Sequence, residues 1–321
     1  MSNFTPKNQT EVHLFILGGL PNTAQLPLLF FLIFLVIYLL TVLGNLLILF
    51  TILLEPRLHG IPMYFFLCNL SFLDTCLSTV TVPKILAGLI RSSDKTISFG
   101  GCVIQLYAFH FLASAECFLY TVMAYDRYLA ICHPLTYAVL MNGRIYSRLA
   151  AGIWFLGSFH AAIHTSLTFH LSYCGPNKVD YFFCDIPPVL KLACADTAVN
   201  HTIILADIGV VATSCFALVC LSYAHIASAI LKIQTTEGRH RAISTCSSHL
   251  IVVLLYYGPP VFIYTHPSSS NTSYETLAVF YTIITPMLNP FIYTLRNKEF
   301  KRALRKLFDG HGLSQDRQMG S

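Results

Sequence analysis

The sequence predicts an all-α membrane protein, a bundle of seven transmembrane helices followed by a short amphipathic helix. Three observations predict it. Of 321 residues, 55% are hydrophobic and only 11% charged, with a mean hydropathy of +0.63, where soluble domains carry about 25% charged residues. Seven segments reach the roughly 20 mostly apolar residues that a bilayer core requires of a helix. Finally, 14 of the 20 Lys and Arg residues fall on one side of the resulting topology.

Span one is Leu26–Leu54, which contains no charge; span two is Met63–Leu86; span three is Cys102–Tyr125. Span four is Arg148–Leu167, span five Thr202–Leu231, span six Ala242–Tyr264 and span seven Leu277–Leu295. An odd number of crossings puts the two ends on opposite sides. Lys and Arg concentrate in cytoplasmic loops. The cluster from Arg296 to Lys306 therefore sets the C-terminus inside and the N-terminus outside. The basic balance is a topology signal and not a nucleic-acid footprint, so no nucleic-acid partner is expected.

The chain divides into an outer tail (1–25), the membrane domain (26–296) and a cytoplasmic helix with its tail (297–321). The first 25 residues lack the apolar run of a cleavable signal, so span one is expected to direct insertion. Asn3-Phe4-Thr5 and Asn8-Gln9-Thr10 in the tail are glycosylation sequons. Beyond span seven, Phe300, Leu304, Leu307 and Phe308 recur at helical spacing among Lys298, Lys301, Arg302, Arg305 and Lys306. That pattern suits a helix lying on anionic membrane lipids.

Eleven cysteines are present. Those inside the spans read as small packing residues. Cys102, at the outer end of span three, and Cys174, Cys184 and Cys194 in the outer loop 168–201 fall on the oxidising side. Four such cysteines allow two disulfides in three pairings. No spacing resembles a zinc site, and His160 and His164 read as helix packing.

Ionisable groups inside a membrane are costly and mark function. Asp126 and Arg127 end span three within Met123–Cys132, Met-Ala-Tyr-Asp-Arg-Tyr-Leu-Ala-Ile-Cys. Arg127 keeps its charge and requires a partner, with Asp126 the adjacent one. Asp74 and Glu116 lie at mid-membrane depth on spans two and three. Two buried like charges require a shared proton or an intervening cation. Oxygen ligands suit a hard ion such as sodium, and Asn45 and Asn289 would complete the network. Asp207, in the outer third of span five, must face a polar interior. It is expected to accept a hydrogen bond from a hydroxylated ligand, or to pair with His110 or His201.

These features recur with a series of ordered motifs. They are Gly44-Asn45, Pro62-Met63-Tyr64-Phe65-Phe66-Leu67, Leu70-Ser71-Phe72-Leu73-Asp74, Met123–Cys132 and Ser222-Tyr223. Ser244-Thr245-Cys246-Ser247-Ser248-His249-Leu250 and Pro286-Met287-Leu288-Asn289-Pro290-Phe291-Ile292-Tyr293 follow. Together they resemble the odorant (olfactory) receptors, a branch of the rhodopsin-like G-protein-coupled receptors, in the tetrapod-type class. One departure is that Gly60 and Ile61 both intervene between His59 and Pro62, where the family has a single residue; loops absorb such insertions cheaply.

The resemblance implies Cys102–Cys184 and Cys174–Cys194 bridges. It implies an activation site of Asp126, Arg127, Tyr128, Tyr223, Asn289, Pro290 and Tyr293. In it, Arg127 turns on activation toward Tyr223, Tyr293 and an inserted G-protein helix. It places a ligand pocket in the outer half, with Phe109, His110, Ala113, Ser114, Asp207, Tyr257, Pro260 and Tyr264 as candidate contacts. Phe109 stands where amine receptors of the wider superfamily carry an aspartate, which argues against an amine ligand. The expected ligand is a small volatile odorant. The expected partner is a heterotrimeric stimulatory olfactory-type G protein that raises cyclic AMP, in the plasma membrane of sensory cilia. No cofactor is expected beyond a structural sodium ion at Asp74 and Glu116. A transporter would predict inverted repeats or interrupted helices, which are not found. An intramembrane enzyme would need a nucleophile–base or paired-acid site open to water, for which Asp74 with Glu116 is the only candidate.

Overall fold

The protein is described by a computed structural model that covers residues 12–18, 26–232, 234–265, 278–296 and 299–307. Long helices dominate: α1 (Pro27–Leu54), α3 (Pro62–Ile90), α4 (Phe99–Cys132), α6 (Gly143–Phe169), α8 (Ala198–Leu231) and α9 (Thr236–Thr265). A π-helical turn at Phe280–Ile284 leads into α10 (Thr285–Arg296), and α11 (299–307) follows. Short helices α2 (Pro56–His59), α5 (Tyr137–Leu140) and α7 (Ile186–Leu190) lie in the connections. Among the described residues, α1, α3, α4 and the Gly209–Leu231 part of α8 are long and apolar enough to cross a membrane.

Most helices run beyond the apolar windows read from sequence, because polar residues extend them. Ser98 caps α4 by accepting from the Gly101 amide at 3.1 Å. Asn142 caps α6 by accepting from Arg144 and Ile145. Such caps satisfy amides that a helix start leaves open. The Gly60-Ile61 insertion is absorbed in the turn between α2 and α3, where a Cβ on Gly60 would meet nothing within 4 Å.

Polarity is inverted relative to a soluble protein. Leu28, Phe50, Phe155 and Val210 are exposed, while Asn45, Asp74, Glu116, His164, His249 and Asn289 are buried. That distribution suits hydrocarbon outside and paired polar groups within. Two glycines set close crossings. A Cβ at Gly44 of α1 would meet the Pro290 ring at 3.0 Å, and one at Gly157 of α6 would meet the Ala115 amide nitrogen at 3.0 Å and the Phe111 carbonyl at 3.1 Å. Helix α11 docks through buried Phe300 and Ala303, with Leu304 and Leu307 half-buried; Phe308 lies outside the described residues. Lys306 donates to Glu55 at 2.9 Å, and that hydrogen bond holds the Glu55 carboxyl below its usual range.

One element has no counterpart in the sequence reading. Tail residues Leu14–Leu17 form β1, between β2 (Thr96–Ser98) and β3 (Lys178–Val179). β1 is antiparallel to β2 and parallel to β3. Cys102 joins Cys184 and Cys174 joins Cys194, with Cα separations of 5.5 and 5.9 Å.

Gly157→Val pushes a side chain into main-chain atoms that cannot yield. It is expected to destabilise the protein by about 1–3 kcal/mol. Gly152→Ala, on the same helix with nothing within 4 Å, should be neutral or slightly stabilising. Thermal unfolding of the purified protein in one detergent compares the two.

Candidate functional site

At the inner end of α4, Asp126 is buried and its Oδ1 accepts a 2.8 Å hydrogen bond from the Tyr137 hydroxyl. The short helix α5 presents that tyrosine. Burial, with the Asp126 carboxylate second, pushes the Tyr137 hydroxyl above its usual range, so it stays a donor. Tyr137 is thus the hydrogen-bond partner of Asp126, and the neighbouring Arg127 still acts on the carboxylate through its charge. Neighbouring helical residues diverge by about 100°, so the two side chains leave α4 in different directions. Arg127 lies within electrostatic reach of Tyr223, Tyr293 and His249. Tyr223, on α8, bridges to α9, its hydroxyl 2.7 Å from His249 Nδ1 and 3.3 Å from the Cys246 carbonyl. Tyr128 meets His133 Nε2 at 2.9 Å. The Tyr293 hydroxyl is buried without a hydrogen-bond partner among the described residues.

A second constellation lies deeper. Asn289 on α10 donates to both oxygens of Asp74, at 2.9 and 3.1 Å, and reaches the Tyr120 hydroxyl at 3.2 Å. Tyr120 in turn donates to Glu116 Oε1 at 3.2 Å. The Asp74 and Glu116 carboxyls are close enough to interact directly. Glu116 Oε2 and Asn289 Oδ1 are buried with no hydrogen-bond partner among the described residues. Asn45 departs from its expected place: it donates to the carbonyls of Thr41 at 3.0 Å and Pro286 at 3.1 Å. It thus ties α1 to the π-turn and α10 region instead of joining Asp74. Among the described residues, no three His, Cys, Asp or Glu side chains are grouped to hold a metal. A cation here would rest on two carboxylates and neutral oxygens.

The outer half is arranged around the loop that follows α6. Phe109 is buried with its ring 4.5 Å from Phe183. His110 Nε2 lies 3.0 Å from Asp185 Oδ1, so a loop carboxylate partners that nitrogen. Asp185 also caps α7, accepting from the Ile186 amide at 2.8 Å. It follows Cys184, whose disulfide to Cys102 pins the loop against α4. Ser114 turns toward α6, 2.9 Å from His160 Nδ1, because the close α4–α6 crossing puts that nitrogen nearest. The Ala113 carbonyl accepts from the Tyr256 hydroxyl at 2.7 Å. The Tyr257 hydroxyl sits 3.1 Å from both the Sγ and the carbonyl of Cys117. These bonds bring α9 against α4. Asn3, Asn8, and the side chains of His201, Asp207, Pro260 and Tyr264 lie outside the described residues.

The sequence reading did not single out Tyr137, Asp185, Gln105 or Tyr256. Gln105 spans two elements, accepting from the Cys184 amide and donating to the Val80 carbonyl, each at 3.0 Å. For Asp185 a signal existed, since a bridge at Cys184 must carry its neighbour to the outer end of span three.

Long helices with an apolar exterior and a buried acid–amide network define a multi-pass membrane protein. Residues 34–310 match the olfactory receptor family. Human olfactory receptor 10S1 is 61% identical over 300 residues, covering 94% of this chain and 90% of its own. Human olfactory receptor 10G2 is 60% identical over 296 residues (92% and 95%), and 10G7 is 57% identical over 308 (96% and 99%). The chain belongs to the olfactory receptor family. It is an odorant receptor of the G-protein-coupled class, and not an enzyme.

Asn289→Ala removes the one amide that ties Asp74 to Tyr120. A buried acid stripped of its donor costs about 1–3 kcal/mol, so the melting temperature should fall. The more conservative Asn289→Gln should recover part of the loss in the same thermal assay.

Proposed function

We propose that the protein binds small volatile odorants in an outer-half pocket and activates a stimulatory olfactory-type G protein, raising cyclic AMP. The observation that carries this reading is the inner end of α4. There Asp126 accepts from Tyr137, and Arg127 lies within electrostatic reach of Asp126 and of the tyrosines of α8 and α10. All seven helices cross the membrane in this reading, with the N-terminus outside and α11 on the inner leaflet. The basic residues around α11 support that orientation. Plasma membrane of sensory cilia is the proposed location, and Asn3 and Asn8 the proposed glycan sites. Residues 1–25, 26–296 and 297–321 form the tail, the receptor domain and the cytoplasmic segment. The activation set remains Asp126, Arg127, Tyr128, Tyr223, Asn289, Pro290 and Tyr293, with Tyr137 added.

The pocket is assigned to Phe109, His110, Ala113, Asp207, Tyr257, Pro260 and Tyr264, with Ser114 a lesser member because it is engaged by His160. Apolar walls with few polar groups suit small organic ligands. An odorant that fits the active state better shifts the population toward it. Asp74 and Glu116 share a proton or hold sodium. Glu116 Oε2 and Asn289 Oδ1, buried and without a hydrogen-bond partner among the described residues, fit an oxygen-only ion site. An ion there would neutralise the pair and favour the arrangement that Asn289 braces.

Cells carrying the olfactory-type G protein, exposed to a broad odorant panel, test the reading. Arg127→Ala should abolish the cyclic AMP response at equal surface expression, and a surviving response would sink the mechanism. Tyr137→Phe removes a hydrogen bond worth about 1 kcal/mol. It should raise ligand-independent cyclic AMP by roughly fivefold, the population change that such an energy produces.

A further inference from the structure

Seven cysteines lie outside the two disulfides, and two of them, Cys117 on α4 and Cys215 on α8, are buried together where α4, α8 and α9 meet. Their side chains are in hydrogen-bond contact with each other. The Tyr257 hydroxyl of α9 is 3.1 Å from the Cys117 sulfur, and the Tyr257 ring lies 5.5 Å from that of Phe216, the neighbour of Cys215. The Thr121 hydroxyl, one turn along α4, meets Cys215 and Tyr257 and donates to the Cys117 carbonyl at 3.2 Å. Two thiols and two hydroxyls thus join three helices, in a place that neither the acid–amide network nor the inner end of α4 uses.

One buried cysteine is a small apolar packing residue. Two in contact on different helices are another matter, because the second sulfur can complete an oxidation that the first begins. The remaining cysteines differ. Cys68 and Cys76 are eight residues apart on α3, about 12 Å along its axis. Cys220 is exposed on the outside of α8. Cys132 and Cys246, at the inner ends of α4 and α9, are within electrostatic reach of each other and form the natural comparison pair.

We propose that Cys117 and Cys215 form an oxidative modification site, in which hydrogen peroxide converts the pair to a disulfide that cross-links α4 to α8. One sulfur attacks a peroxide oxygen and the O–O bond breaks. The thiol proton leaves with the other oxygen as water, and the attacked oxygen stays on sulfur as a sulfenic acid. The second sulfur then attacks the sulfenic sulfur and the S–O bond breaks. The departing hydroxide takes the second thiol proton as another water. The two thiols lose two electrons and the peroxide gains them. Peroxide is small and uncharged, so neither hydrocarbon nor close packing bars it as they bar a charged reagent. The Tyr257 hydroxyl keeps a donor against the Cys117 sulfur through both steps. The bond would fix α4 against α8 beside Tyr257, and so bears on any movement of one helix past the other.

The test uses the unaltered full-length chain in cell membranes. Hydrogen peroxide is raised until the exposed Cys220 is oxidised, which shows that the oxidant has reached α8. Free thiols are then blocked with a maleimide, the chain is digested with pepsin without reduction, and linked peptides are quantified by mass spectrometry. Peptides joined through Cys117 and Cys215 should appear, and should separate on reduction with a phosphine. They should form at least about tenfold faster than a Cys132–Cys246 link, because thiols held in contact react as an intramolecular pair. Denaturing the chain in dodecyl sulfate and urea before oxidation should cut the yield about tenfold or more, since that proximity is then lost. Cys117 and Cys215 both still reduced when Cys220 is oxidised would overturn the proposal. So would oxidation of one without the other, a link that forms equally well in the denatured chain, or a Cys132–Cys246 link that forms faster. None of these readouts needs an odorant, so silence of the chain to odorants would count against the receptor reading alone.

Discussion

The Asn289 amide is the interaction on which the interior depends. One side-chain nitrogen serves both oxygens of Asp74 and the Tyr120 hydroxyl, and so joins α10, α3 and α4. In hydrocarbon no water can replace these bonds. Two acids at mid-depth are costly there, and amide and phenol donors offset part of that cost. Gly44 permits the close approach of α1 to Pro290, one residue beyond Asn289. The same small region thus sets both the packing of α1 against α10 and the polar network.

The two ends of the molecule are built on different principles. The outer end is held by covalent and backbone links: two disulfides and a three-stranded sheet that recruits the tail. The inner end is held by side-chain hydrogen bonds, Tyr137 to Asp126 and Tyr223 to His249. A single hydrogen bond contributes only about 0.5–1.5 kcal/mol net, whereas a disulfide typically contributes about 2–4 kcal/mol. An element that must change arrangement is better served by the weaker links. The difference sets a covalently braced end against one held by single hydrogen bonds.

The site residues divide by how far their partners lie along the chain. Tyr120 and Glu116 are one turn apart on α4, and their bond follows from helical spacing. Asp126 and Tyr137 are 11 residues apart and separated by a turn. The sequence offered Arg127, the nearest cation, as its partner; the structure adds Tyr137 as the hydrogen-bond donor, with Arg127 acting through its charge. His110 and Asp185 are 75 residues apart, and Ser114 and His160 are 46 apart. In both cases a plausible role was visible in the residue type, but its partner was set by where two chain segments cross.

Composition, the seven apolar segments and the placement of Lys and Arg determined that this is an all-α membrane protein, and its motifs determined the family. Those properties are one-dimensional: hydrocarbon imposes a length and a charge bias on each segment separately. Burial of Asn45, Asp74, Glu116 and Asn289 was legible for the same reason, since a polar residue in an apolar span has nowhere to point but inward. The tertiary structure alone decided that Asn45 serves Pro286 and not Asp74, that Ser114 faces α6, and that Tyr137 holds Asp126. It also decided that Leu14–Leu17 form a strand. In sequence that stretch is a short apolar run near a terminus; its pairing exists only because two outer loops, distant in the chain, present open backbone edges on either side of it.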